Sequence, residues 1–274
     1  MAYADPGAGA PDYAPCQYGA SKLMFRGPPQ RLDQPYVAML GGTMTYGKFV
    51  ERPYPALVAE ATGRRVVNLG MPNAGLDAYL GDAEVLAIAA GAEAVVLQVL
   101  GAQNLNNRYY RVHPRRNDRF LTARPLLRAL FREVDFTEIN FTRHMLTELR
   151  KVSPGRFERV VAELRAVWLA RMRELIEVLA VPVTLLWVRE GQPLPEGELD
   201  MAADPLLITR TMLTALQPDV ANCLEIVISA EARAQGTAGM VFSPLDLPVA
   251  QLVPGPAAHE EVAAHVAAML TRTI

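Results

Sequence analysis

Between residues 108 and 132 the chain carries eight of its 24 arginines, Arg108, Arg111, Arg115, Arg116, Arg119, Arg124, Arg128 and Arg132, with Asp118 the only acid among them. A guanidinium is a planar fork of donors that grips phosphate, sulfate or carboxylate in pairs and stacks on flat rings. This density therefore points to an anionic group on a ligand or partner. Tyr109, Tyr110 and His113 add stacking and hydrogen-bonding surface to the same stretch. The competing expectation is a solvated helical face whose arginines pair with Glu133, Asp135 and Glu138, contacts worth little each. Arg115 and Arg116 stand apart, because His113-Pro114 fixes a turn just before them. Arg143 and His144 are placed to return to the same mouth.

Three other segments combine glycine with short polar side chains: Gly41 to Gly47 (GGTMTYG), Gly70 to Gly75 (GMPNAG) and Gly101 to Asn107 (GAQNLNN). Several familiar chemistries are excluded. Gly47-Lys48 carries part of a phosphate loop, but Phe49 stands where the metal-binding hydroxyl must be. No Gly-x-Gly-x-x-Gly follows the first strand, which argues against a dinucleotide site. The four histidines, His113, His144, His259 and His265, lack metal-ligand spacing, and Cys16 and Cys223 are too far apart to form a CxxC pair. The expectation is a protein with no metal and no cofactor. A net charge of -2, from 27 basic and 29 acidic residues, argues against a nucleic-acid partner. The first twenty residues show no secretory pattern and no run of about eighteen apolar residues occurs, so no membrane partner and a cytoplasmic location are expected.

The elements that must position these residues follow from periodicity. Tyr36 to Leu40, Val66 to Leu69, Ala94 to Leu100, Pro182 to Val188 and Leu224 to Ser229 are short apolar runs that read as strands. Helical spacing marks Val50 to Thr62, Asp77 to Ala90, Phe157 to Leu179, Pro205 to Leu216 and Pro256 to Leu270. Such alternation implies an α/β protein, a three-layer α/β/α sandwich around a doubly wound parallel sheet of about five strands. Residues 1–35, rich in Pro, Gly and Tyr, are expected as an extended arm, residues 36–274 as one domain, and residues 101–155 as a helical lid inserted after the third strand. With 51% hydrophobic residues over 274 positions, a full core is available. In open parallel sheets ligands bind beyond the carboxyl ends of the strands, where the three glycine-bearing loops meet.

Those loops resemble the blocks of the SGNH, or GDSL, hydrolase superfamily: Gly-Asp-Ser after strand one, a glycine after strand two, and Gly-x-Asn-Asp after strand three. The resemblance covers roughly residues 36 to 107 and implies a flavodoxin-like fold with a serine-type ester chemistry. It places Thr43 as the nucleophile, with oxyanion donors at the Thr43 N–H, at Gly75 (or Gly70) and at Gln103 or Asn104. Gly42, Tyr46 and Asn73 then line the same mouth. The chain departs from the family at Gly42 for Asp and Thr43 for Ser, and the upstream Asp-x-x-His is missing before Pro256. His259 becomes the displaced base, with His113 and His144 as alternatives and Asp246 as a carboxylate to orient it. The whole chain is also similar to an uncharacterised bacterial domain family with Gly-Gly-Thr-x-Thr-Tyr-Gly, Gln-Val-x-Gly-Ala-Gln-Asn-Leu and Val-His-Pro-Arg-Arg-Asn-Asp-Arg-Phe segments, found here at residues 41–47, 98–105 and 112–120.

Two readings follow. In one, the chain is an esterase or acyl transferase acting on an ester, such as an acylated carbohydrate. In the other, it is a catalytically inactive module that keeps the pocket to bind carbohydrate or an anionic small molecule, within a homo-oligomer or a larger assembly such as a particle surface. Fold does not decide between them, because function lives in the site.

Overall fold

Short apolar runs ending in glycine or a polar residue form the centre of the computed structural model, which describes residues 9–191 and 198–273. The strands in chain order are β1 (Val37–Gly41), β2 (Val66–Gly70), β3 (Ala94–Gln98), β4 (Tyr110–His113), β5 (Arg116–Ala123), β6 (Val183–Arg189) and β7 (Asn222–Val227). Five of them make one parallel sheet in the order β2-β1-β3-β6-β7, while β4 and β5 pair only with each other. This is the doubly wound order in which the chain reverses direction between β1 and β3, opening a crevice at the strands' carboxyl ends.

Both faces of the sheet are covered, which is why its strands read as continuous apolar runs. Along β1, Ala38 and Leu40 face one core and Val37 and Met39 the other. Helices α1 (Thr43–Tyr46), α2 (Tyr54–Thr62), α3 (Leu76–Leu80), α4 (Ala83–Ala90), α5 (Pro125–Leu130), α6 (Thr142–Val152) and α7 (Pro154–Leu179) come in the first two thirds of the chain. They are followed by α8 (Arg210–Thr214), α9 (Ala230–Ala234), α10 (Leu247–Ala250) and α11 (Pro256–Thr273). The larger core lies under α3, α4 and α7, where Trp168 is fully buried and its indole N–H donates to the Leu100 carbonyl at 2.7 Å. The smaller core lies under α2, α9 and α11. Among the described residues no helix is long and apolar enough to cross a membrane.

Several predicted helices are shorter than their patterns. The run from Asp77 to Ala90 breaks at Gly81-Asp82, where the Asp82 carboxylate accepts the Val85 N–H at 3.2 Å and starts α4 as an N-cap. The run from Pro205 to Leu216 is helical only from Arg210, capped by Thr209. Arg128 lies on α5, but the first half of the arginine-rich stretch, with Arg111, Arg115, Arg116 and Arg119, is not a helical face. It forms the β4–β5 hairpin, because Tyr110 and Val112 are buried on either side of exposed Arg111 and because Phe120 and Ala123 pack into the same core. Helices α5 and α6 complete the insertion.

The segment before β1 lies against the domain. Cys16 and Phe25 exchange backbone hydrogen bonds at 3.0 and 2.9 Å. Buried Arg26 donates to the carbonyls of Gly47, Val50 and Glu51, each at 2.7 Å.

Candidate ligand site at the strand ends

The carboxyl ends of β1 and β2 stand in register, Gly41 beside Gly70. Each is followed by a tight loop. A Cβ on Gly70 would lie 2.4 Å from the Tyr46 N, and one on Gly75 would lie 2.0 Å from the Asn104 carbonyl oxygen. Glycine at these two places is what lets the three loops close on one another.

Thr43 opens α1 and meets Asn73 twice. Its hydroxyl accepts the Asn73 N–H at 3.0 Å and donates to Asn73 Oδ1 at 3.3 Å. Asn73 is held at φ 56°, a left-handed conformation that asparagine tolerates better than most residues. Its side-chain amide donates to Asp118 Oδ2 at 3.3 Å, and its carbonyl accepts from Asn104 Nδ2 at 3.2 Å. Asn104 Oδ1 in turn accepts from Thr142 at 2.7 Å. Thr43, Asn73, Gly75 and Asn104 are therefore brought together, and Asp118 joins them from the hairpin.

Four backbone donors around this mouth, the N–H groups of Gly42, Thr45, Gly75 and Ala78, are already engaged. The Gly75 N–H donates to Asn117 Oδ1 at 2.9 Å, and the Ala78 N–H donates to the same oxygen at 3.1 Å. Gln98, at the end of β3, accepts from the Gly42 N–H at 3.0 Å, from the Thr45 N–H at 3.3 Å and from the Thr45 hydroxyl at 2.6 Å. Gln98, Asn117 and Asp118 were not singled out by sequence reasoning. The available signals were a polar residue closing an apolar strand, and an Asn-Asp pair interrupting a run of arginines.

The predicted bases lie elsewhere. His259 is fully buried in the smaller core, stacked on Tyr54, and its Nδ1 accepts the Tyr54 N–H at 2.9 Å. Burial, aided by the nearby Arg26 charge, pushes its pKa down to about 3, so it is a neutral cap on α2. His113 Nδ1 accepts the Arg115 N–H inside the hairpin turn, and His144 faces Glu148 at 3.9 Å on the exposed side of α6. Asp246 accepts from Ser243 Oγ at 2.9 Å. Among the described residues no histidine is hydrogen-bonded to Thr43.

The remaining positions separate into those at the mouth and those away from it. Tyr46 is buried against Tyr13, with ring centroids 5.1 Å apart. Gln103 is buried with its side-chain oxygen folded back on Gly101, and its carbonyl accepts from the Tyr110 hydroxyl at 2.7 Å. Arg143 ties down a neighbouring loop through the carbonyls of Met201 at 2.6 Å and Ala203 at 3.2 Å. Arg108 pairs with Glu163 at 3.0 Å, and Arg128 donates to the Ala123 carbonyl at 3.1 Å. By contrast Arg115 is exposed at the hairpin tip, and Arg116 and Arg119 flank Asp118. The Arg119 guanidinium lies 4.3 Å from the centre of the Phe141 ring, and its buried Nε–H meets no acceptor. Burial holds the Asp118 carboxyl above the usual range, opposed by the Arg116 and Arg119 charges.

Comparison with solved structures finds the lipase Lip_vut3 from a goat rumen metagenome, with TM-score 0.40 and 11% identity over 86% of this chain and 97% of that one. It also finds Axe2, an acetylxylan esterase from Geobacillus stearothermophilus, with TM-score 0.39 and 15% identity over 88% and 94%. A GDSL-like lipase from Bacteroides ovatus ATCC 8483 overlaps with TM-score 0.39 and 13% identity, over 89% of this chain and 54% of that one. These overlaps are loose and carry no argument about the chemistry of the mouth. No curated protein matches the sequence. From residue 1 to residue 274 the chain matches the domain of unknown function DUF6473, and it belongs to that family.

Proposed function

We propose that the protein binds an anionic ligand at the strand-end mouth without hydrolysing it. The observation that carries this reading is the two-way bonding of Thr43 and Asn73. A hydroxyl nucleophile needs a base within hydrogen-bond reach, and here the Thr43 proton is given to an amide oxygen. The Gly75 N–H, which would have to stabilise an oxyanion, is held by Asn117. What remains for a ligand is the hairpin's side of the mouth: exposed Arg115, and Arg119 stacked on Phe141 with a buried Nε–H that meets no acceptor among the described residues. Planar guanidinium forks of this kind suit carboxylate, sulfate or phosphate, free or carried on a sugar.

One observation favours a second reading, in which Thr43 attacks an ester. Asn73 links the Thr43 hydroxyl to the Asp118 carboxylate, whose pKa burial raises against the opposing charges of Arg116 and Arg119. The test separates the two. Inorganic phosphate is titrated at constant ionic strength while the arginine Nε–H resonances are followed, and wild type, Thr43→Ala and Asp118→Asn are assayed on a panel of short-chain aryl esters. The binding reading expects a saturable shift of the Arg119 resonance, a weaker phosphate response of the Arg115 resonance in Arg119→Gln, and no turnover above buffer. Turnover that disappears in Thr43→Ala overturns it in favour of the second.

A further inference from the structure

We propose that the tip of the β4–β5 hairpin, residues 113–118, is a latch over the Thr43–Asn73 mouth, which lifts as a unit while the base of the hairpin, with Arg119 bridged to Phe141, stays packed. This rests on the reading of the mouth as the ligand site.

The hairpin has two chemically different halves. At its base Tyr110, Val112, Phe120 and Ala123 are buried in the larger core, and the Arg124 N–H donates to the Tyr109 carbonyl at 2.7 Å. Burial of four apolar side chains fixes this half to the domain. At the tip, residues 113–118, the sequence is His-Pro-Arg-Arg-Asn-Asp, with no large apolar side chain to bury. It touches the α3 side of the mouth through polar contacts: Asn117 Oδ1 accepts from Gly75 and Ala78, and Asp118 Oδ2 accepts from Asn73.

The tip is also braced within itself. The Asn117 side-chain amide donates to the carbonyls of His113 at 2.9 Å and Pro114 at 3.3 Å, and the Arg115 N–H donates to the His113 ring. Its internal bonds survive lifting, so it moves as one piece. The pairing register shifts on both sides of Val112, which sets the hinge between the packed base and the polar tip. Polar bonds that water can replace, set beside apolar contacts that it cannot, make the tip a low-stability unit on a high-stability base. On lifting, the Gly75 N–H passes to solvent and the Ala78 N–H keeps only the Gly75 carbonyl, at 3.2 Å. The arginines of the tip travel with it, so an anion captured there is carried into the mouth on closing.

Amide hydrogen exchange on the wild-type chain tests this. Val95 and Val99, which donate across the sheet to Pro182 and Leu186 at 2.9 Å, serve as the reference. Gly75 and Ala78 are expected to exchange at least tenfold faster than these two, through an opening insensitive to low urea. Asn117→Ala should speed Gly75 and Ala78 a further tenfold and leave the reference amides unchanged. Exchange of Gly75 and Ala78 together with Val95 and Val99 in the wild type, at every urea concentration, overturns the latch whether or not the variant folds. Saturating phosphate should slow the two amides. If the opening is observed and phosphate leaves its rate unchanged, the latch stands and the anion reading of the mouth falls.

Discussion

Asn117 of β5 holds the backbone N–H of Gly75 at 2.9 Å, so a side chain of the inserted hairpin sits on the donor that a strand-end site would otherwise offer to a ligand. The same oxygen takes the Ala78 N–H, and the neighbouring Asp118 takes the Asn73 amide. The mouth is thus closed from the hairpin side, while Gln98 satisfies the donors at the entrance of α1 from below. Both closures are local polar arrangements in which buried groups find partners within the chain.

Gly75→Ala is expected to destabilise the protein by about 2 kcal/mol, within the range for forcing atoms into a packed site. The added Cβ would stand 2.0 Å from the Asn104 carbonyl oxygen, and backbone cannot swing aside as a side chain can. Equilibrium urea unfolding checks this. A cost below about 0.5 kcal/mol would mean that the β2 and β3 loops are not in contact as described.

Gln98→Ala removes one acceptor that serves two backbone N–H groups and the Thr45 hydroxyl. Unpaired donors in a partly buried site cost about 1–3 kcal/mol each, but the Tyr54 hydroxyl, 2.9 Å from Thr45 Oγ1, can still accept from Thr45. A net loss of about 3 kcal/mol is therefore expected. Gln98→Glu keeps an acceptor oxygen in place and should lose less than Gln98→Ala. Chemical denaturation of the two variants side by side decides, and equal losses would show that the side-chain oxygen is not what matters.

The sheet was legible because its strands are buried on both faces. Runs such as Val-Ala-Met-Leu at 37–40 and Ala-Val-Val-Leu at 94–97 need no tertiary information to be read as strands. The hairpin was not, since bulges around Val112 disturb the two-residue alternation and four arginines, Arg111, Arg115, Arg116 and Arg119, mask the few apolar anchors. At the site, Thr43, Asn73, Gly75 and Asn104 were legible from their places after strand ends. The roles of Asn117 and Gln98 were not, because they arise from contacts across 42 and 56 residues of chain. His259 shows the converse error. The resemblance to the SGNH blocks suggested a displaced base, but its ring points into a core where only a neutral acceptor fits.

That burial makes His259 a source of acid sensitivity. A histidine in the unfolded chain takes up a proton near pH 6.5, whereas the folded one does so only near 3. Between those values the unfolded chain binds the extra proton, so stability is present above pH 6.5 and is lost as the pH falls toward 3. The expected contribution to the slope approaches about 1.4 kcal/mol per pH unit. His259→Leu should be less stable at pH 7, having lost the acceptor for Tyr54, and its stability should depend less on pH between 4 and 6. Parallel slopes for variant and wild type would refute the assignment.

Arg26 is the last case, and it concerns how the segment before β1 is held. Its guanidinium is buried, lies 5.2 Å from the centre of the Tyr13 ring, and reaches the carbonyls of Gly47, Val50 and Glu51. Burial lowers its pKa, which records the cost of keeping that charge out of water. The carbonyls repay it only because two nitrogens of one planar fork reach three oxygens at once. A lysine presents a single nitrogen and cannot span them, so Arg26→Lys is expected to lose most of what Arg26→Ala loses, about 3 kcal/mol or more. The segment from Tyr13 to Phe25 should then become sensitive to limited proteolysis at protein concentrations and temperatures where the wild type resists, while the sheet remains folded by circular dichroism. If Arg26→Lys behaves as the wild type in both measurements, the charge alone fastens the segment and the fork geometry is irrelevant.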